Sequence, residues 1–184
     1  MIGWLVGLGR LVTDSPLGVR LLASLSTAVT SFALYQTGRL LFDPRTAAVA
    51  AIWFNLTLAM GLLFIATPDA PVVMFWSLSI WAVAEFVARG NPNWWLLAGL
   101  FAGLALQSKY TAALLGVGLV LYLISSRERW RWLLHWQVWA GGALALLVVL
   151  PNLLWNAANG WLTLGFQGQR IGTRNWNLDT FASF

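Results

Sequence analysis

The chain has 184 residues, of which 59% are hydrophobic and only 9% charged, with a net charge of +5 and no cysteine. A soluble domain carries about 25% charged residues, so this composition excludes a soluble globular domain, a disordered tail and a disulfide scaffold, and it points to a polytopic membrane protein. The missing thiols rule out a cysteine nucleophile or metal site, and the single His135 cannot form a histidine zinc site.

Residues 1–12 are apolar but too short to span a bilayer. They lack a basic start and a small-residue cleavage site, so they read as an interfacial helix and not as a signal peptide. Beyond them, charges mark the ends of apolar runs. Spans are expected at 17–38, 46–67, 70–89, 94–108, 110–126 and 133–154. In the first turn of the third, Thr67 or Asp69 caps the helix at a corner stiffened by Pro68 and Pro71. At the far end of that span Glu85 pairs with Arg89 at i+4. Asn55, inside the second span, bonds a neighbouring helix.

Residues 94–126 would form a straight helix of about 50 Å, against a hydrocarbon core of about 30 Å. They read as a tight helical hairpin turning at Gln107-Ser108-Lys109-Tyr110. Gly99, Gly103, Gly116 and Gly118 would let its two arms pack closely. The alternative is one tilted span with a snorkelling Lys109. The last run leaves the membrane at Pro151-Asn152 and Trp155-Asn156. The fold class is therefore all-α, a polytopic transmembrane helical bundle with about six spans, and 1–184 is one transmembrane domain.

Between spans, Arg39, Arg45, Arg89, Arg127, Arg129 and Arg131 gather on one side and Lys109 lies on the other. That bias puts the arginine side in the cytoplasm. The flanking Arg10, Arg20, Arg170 and Arg174 fall on the outer side and weaken it. Three polar groups then face outward. Asp69 is either only a cap or an anion held at membrane depth, where ionisable groups are costly and functional. Lys109 either snorkels or serves as a point charge for a phosphate, with Tyr110 donating a hydrogen bond or stacking beside it. The exit segment offers the ring of Trp155 and the amides of Asn156 and Gln167 to a sugar, and Arg170 to a phosphate. Its plainer reading is a solvated interfacial loop.

Four segments in order, Leu17-Gly18-Val19-Arg20-Leu21, ATPDAP at 66–71, GLFAGLALQSKYTA at 99–112 and PNLLWNAANGW at 151–161, resemble the bacterial glycosyltransferase family 39. That family includes protein O-mannosyltransferases and lipid A aminoarabinose transferases. The resemblance implies a GT-C-like membrane glycosyltransferase. Such an enzyme transfers a sugar with inversion from a polyprenyl-phosphate donor to a lipid, glycan or protein acceptor on the outer face. It implies that Asp69 lies beside the active cavity as a catalytic residue and Lys109 near the donor phosphate. It also implies a multi-pass bacterial inner-membrane protein in the cell envelope with its site facing the periplasm or outside. Membrane lipids are partners and nucleic acid is not. A divalent metal cofactor has no evident ligand set. Family members are longer and begin with a spanning helix and an acidic outer loop that activates the acceptor. This chain starts at Met1-Ile2-Gly3-Trp4 and is expected to be a fragment. The alternative function is a fragment of a multi-pass transporter or lipid flippase. That reading expects charged or broken helices near the midplane, whereas Asp69 and Lys109 cluster at one face.

Overall fold

The computed structural model describes residues 2–12, 14–57, 67, 69–163, 165 and 168. Every regular element among them is helical, as the composition predicts. In chain order they are α1 (Ile2–Val12), α2 (Pro16–Leu41), α3 (Pro44–Leu56), α4 (Asp69–Arg89), α5 (Trp94–Ser108), a 3-10 turn (Tyr110–Ala112), α6 (Ala113–Ile124), α7 (Arg127–Trp130), a second 3-10 turn (Arg131–Leu134) and α8 (Trp136–Ala158). The chain forms two compact units, Met1–Val149 and Leu150–Phe184.

Local chemistry sets the boundaries. Asp43 caps α3: its carboxylate accepts from the amides of Arg45 at 2.8 Å and Thr46 at 3.0 Å, and Pro44 occupies the first turn. The side-chain hydrogen bond from Thr46, followed by the Thr46 and Arg45 amides, holds the Asp43 carboxyl below the ordinary carboxylate range. A lowered folded-state pKa contributes stability above the unfolded value of about 3.9, and that contribution disappears as pH falls through the folded value. Asp43→Ala should therefore lower the melting temperature at neutral pH, and the two proteins should converge in thermal melts as the pH drops below about 3.9. A gap that persists in strong acid would remove the charged cap.

The reversal after α4 is equally local. Gly90 takes φ 72, a left-handed conformation that suits glycine, and its N–H bonds the Phe86 carbonyl at 2.8 Å. Asn91-Pro92-Asn93 then turns the chain, with Trp95 N–H bonding the Pro92 carbonyl at 3.0 Å. Helices α4 and α5 consequently run antiparallel and pack along their lengths. The Ser79 hydroxyl, fully buried, donates to the Ala98 carbonyl at 2.9 Å. At the arginine end Ala82, Val83, Phe86, Trp95, Ala98 and Leu123 form a core. The Trp132 ring meets Phe86 edge-on at 4.8 Å. At the other end Val72, Ala105 and Ala112 pack with Phe75, Trp76 and Leu106. Helix α2 lies parallel to α4, through Ala23 against Ala70 and Phe32 edge-on to Trp81. The buried hydroxyls of Ser26, Thr27 and Thr30 are satisfied by carbonyls one turn back on α2 itself.

The hairpin forms with its turn at Lys109, and α5 and α6 are neighbours through Trp95, Ala98 and Leu123. The reason given for its close packing is corrected, however. Gly99 and Gly103 face α8, where a Cβ on Gly99 would strike the Gly141 backbone and one on Gly103 would strike Ala145 and Val148. Gly116 and Gly118 meet nothing within 4 Å. An apolar crevice of about 650 Å³ instead opens between α5, α6 and α8, lined by Trp95, Ala98, Gly116, Leu123, Trp139 and Leu146 among others. Because the Gly99–Gly141 crossing is backbone to backbone, no rotamer change relieves an added side chain. Gly99→Leu should destabilise the protein by about 3 kcal/mol, the upper end of overpacking costs. A thermal shift within error of the parent would show that the crossing opens freely.

Two described helices, Asp69–Arg89 and Trp136–Ala158, are long and apolar enough to cross a membrane, and the bent pair Tyr110–Ile124 with Arg127–Leu134 makes up to three. Trp94–Ser108 is apolar but shorter. This is fewer than the six expected. Helix α2 has the length, and it carries the hydroxyls of Ser24, Ser26, Thr27, Thr30, Ser31 and Thr37 and the amide of Gln36 along its run. The second half of the expected 46–67 span lies mostly outside the described residues. The Glu85–Arg89 pairing is present, with the Glu85 side chain 5% exposed and Arg89 at its open edge. Asn55 does bond a neighbouring helix, donating from Nδ2 to the Ser31 hydroxyl at 2.8 Å.

Candidate functional site

Two helix ends build the site. Helix α4 opens at Asp69, whose carboxylate sits in its first turn. The Ala70 N–H reaches back to the Thr67 carbonyl at 3.3 Å. A carboxylate is favoured there because the first N–H groups of a helix carry partial positive charge. Helix α5 closes at Lys109, which leaves the helix with φ −159 and ψ 133 while its N–H still bonds the Ala105 carbonyl at 3.1 Å. A cation is favoured at that end for the opposite reason. The Lys109 carbonyl then accepts from the Ala112 N–H at 3.0 Å, which starts the 3-10 turn.

The antiparallel pairing of α4 and α5 brings these ends together although 40 residues separate them. Lys109 Nζ donates to Asp69 Oδ1 at 2.6 Å. The pair is open to its surroundings, with the side chains 43% and 50% exposed for Lys109 and Asp69. The packed Val72–Ala105–Ala112 cluster lies at the same end. An ammonium group carries three donors. One is directed at Asp69, which leaves capacity for an incoming anion.

Two further polar groups stand at this end that sequence reasoning treated only as a cap and a turn residue. The Thr67 hydroxyl oxygen and the Gln107 side-chain oxygen are buried without a hydrogen-bond partner. Buried polar atoms are nearly always paired, and Thr67 and Gln107 lie within two residues of Asp69 and Lys109 in the chain. In the sequence Gln107 is the one amide in the apolar run 94–106 and its continuation into the turn, which is the signal that could have singled it out.

Tyr110 follows Lys109 directly, is partly buried and belongs to the 3-10 turn. In the second unit, Trp155 is 56% exposed and Asn156 is 2% exposed. The Asn156 amide is engaged within its own segment: Nδ2 donates to Asn152, and Oδ1 accepts from the Thr163 N–H at 3.3 Å. The Trp161 N–H bonds the Asn156 carbonyl at 2.8 Å, and Trp161 itself takes φ 58. These bonds shape the exit from α8. Gln167 and Arg170 lie outside the described residues. Among the described residues no three His, Asp or Glu side chains come together as a metal site.

Residues 1–155 match the family model of the dolichyl-phosphate-mannose-protein mannosyltransferases. Over 83 residues, 45% of this chain, the sequence is 32% identical to the lipopolysaccharide core galacturonosyltransferase RgtA of Rhizobium johnstonii. That match spans 17% of the relative's length. No solved structure matches the chain.

Proposed function

The chain belongs to the dolichyl-phosphate-mannose-protein mannosyltransferase family, a GT-C glycosyltransferase family of membrane proteins, and on that premise we propose that it moves a sugar from a polyprenyl-phosphate donor to an acceptor on the outer face of the membrane. The observation that carries this reading is the Asp69–Lys109 pair, a carboxylate and an ammonium in contact at one end of the α4–α5 pair. In this reading six segments cross the bilayer of the bacterial inner membrane. The arginine side is cytoplasmic and the pair faces the periplasm.

Inverting transfer needs two kinds of group. A base takes the acceptor hydroxyl's proton as its oxygen attacks the sugar's anomeric carbon, and a cation stabilises the phosphate that leaves with the bonding electrons. Lys109 supplies the cation. Asp69 fixes the Lys109 side chain in place before the donor arrives, and it orients the acceptor or supports a base carried elsewhere in the protein. The Thr67 hydroxyl donates to or accepts from sugar hydroxyls, and the Gln107 side-chain carbonyl accepts from them. Tyr110 and Arg170 complete the phosphate contacts. Trp155 and Gln167 contribute a ring face and an amide to the sugar, and Asn156 supports them by holding the α8 exit in shape. The acceptor is a lipid, a glycan or a protein.

The test is transfer of label from a polyprenyl-phosphate sugar to endogenous acceptors, in membranes of cells producing the full-length protein. Label should move only when the lipid-linked donor is supplied. Transfer from a nucleotide sugar in membranes depleted of polyprenyl phosphate would overturn the donor assignment.

A further inference from the structure

At the end of the bundle opposite the Asp69–Lys109 pair the chain makes a near right angle. The axes of Tyr110–Ile124 and Arg127–Leu134 differ by 105°. Because the first of these helices runs along the bundle, the second lies across its end. In a membrane protein that is the plane of the lipid headgroups, where a helix with one polar and one apolar character lies flat.

The strap has two sides. Its inner side is tied to the protein. Arg129 Nη1 donates to the Tyr122 carbonyl at 3.2 Å and to the Ser125 hydroxyl at 2.5 Å, and the guanidinium lies 4.2 Å from the Tyr122 ring centroid. Trp132 packs between Phe86 and Tyr122, and Leu133 joins the same core. Arg127 and Trp130, three apart in α7, and Arg131 and Leu134, three apart in the 3-10 turn, form the other side. All four are exposed, Trp130 at 52% and Leu134 at 85%. Neither the Arg127 nor the Arg131 guanidinium has a hydrogen bond or ion pair among the described residues. The Trp130 indole is fixed by its N–H to the Ile124 carbonyl at 3.1 Å, which keeps its ring outward. Glu128 is the single acid in the strap.

Two free guanidinium groups, an anchored indole and a bare leucine on one side form a surface with a specific complement. We propose that the strap Arg127–Leu134 docks an anionic phospholipid headgroup in the leaflet on the arginine side of the membrane. Arg127 and Arg131 take the phosphate oxygens, whose geometry matches the planar fork. Trp130 lies at the glycerol level, where indoles concentrate, and Leu134 enters the acyl region. The inference rests on the membrane setting of the family and not on the chemistry assigned to Asp69 and Lys109. Docking here also fixes the depth of α6, whose other end carries the Lys109 turn.

The experiment exchanges the full chain into nanodiscs of phosphatidylcholine with graded phosphatidylglycerol, followed by native mass spectrometry of the lipid adducts. Each arginine near an anionic surface is worth about fivefold in binding, so phosphatidylglycerol should be enriched over phosphatidylcholine. Arg127→Gln with Arg131→Gln should reduce that enrichment roughly 20- to 30-fold. Arg127→Lys with Arg131→Lys should retain only part of it, since an ammonium keeps the charge but not the fork. Arg39→Gln with Arg45→Gln, which removes equal charge from the same end, should reduce it clearly less than the Arg127 and Arg131 pair does. The parent should also lose its enrichment in 1 M salt, where the screening length falls to about 3 Å; this arm needs no variant and so does not depend on the folding of one. An enrichment that survives the Gln pair, that falls equally with the Arg39 and Arg45 pair, or that ignores salt would overturn the proposal.

Discussion

Lys109→Gln should reduce sugar transfer by ten- to a hundredfold while leaving the protein folded. The second half of that statement follows from exposure. The Asp69–Lys109 pair is about half open, and exposed ion pairs contribute about 1 kcal/mol or less to stability. The first half follows from the chemistry assigned to the ammonium. A charge-assisted hydrogen bond is worth roughly 1.5–3 kcal/mol. The leaving phosphate gains charge as the sugar bond breaks, so the interaction strengthens towards the transition state. Part of the loss should therefore appear in kcat and not only in KM. Lys109→Arg should rescue incompletely, because a planar fork does not fill a point-charge site. Steady-state kinetics on the full-length protein in native membranes reads all three. Near-normal transfer by a well-expressed Lys109→Gln variant would return Lys109 to a snorkelling role.

The residues that make this prediction were legible before any coordinates, for a physical reason. Charges are rare in the chain, so each one breaks an apolar run and marks a boundary. Lys109 marks the hairpin turn and Asp69 the corner at which α4 begins. With both turns on the outer side, Asp69 and Lys109 are expected to come together, and they meet at 2.6 Å. What the sequence hid were partners across helices. Glycine spacing shows that a helix can be approached closely but not which neighbour approaches, so Gly99 was assigned to α6 when it meets Gly141 of α8. Polar vacancies are equally invisible. The sequence marks Gln107 as the one amide of its apolar run, but it does not show that the side-chain oxygen ends up buried and unpaired. Among the described residues two helices, or three with the bent pair, are long and apolar enough to span, and most of the second half of the expected 46–67 span lies outside those residues.

Asp69→Asn separates a carboxylate that positions Lys109 from one that acts alone. The amide keeps an oxygen that can accept from Nζ but loses the charge that holds the ammonium in place. If positioning is its whole role, Asp69→Asn should lower transfer about tenfold, and adding it to Lys109→Gln should cost almost nothing further. Residues in one ion pair couple by 0.5–3 kcal/mol, which is enough to absorb the entire single effect. If Asp69 takes a proton from the acceptor, its loss alone should cost 10²–10⁴-fold and should multiply with the loss of Lys109. The pair's position at the start of α4 and the end of α5 favours the first outcome, because Lys109 Nζ donates directly to Asp69 Oδ1. The exchange Asp69→Lys with Lys109→Asp provides the remaining discrimination. It restores an ion pair between the same two helix ends, although each charge then opposes its helix dipole. It should fold with a modest loss of stability yet transfer no better than Lys109→Gln, since the cation has moved to the opposite helix end. Recovery of transfer in that exchange would mean that the pair serves only to join α4 to α5, and the donor phosphate would have to be held by other residues.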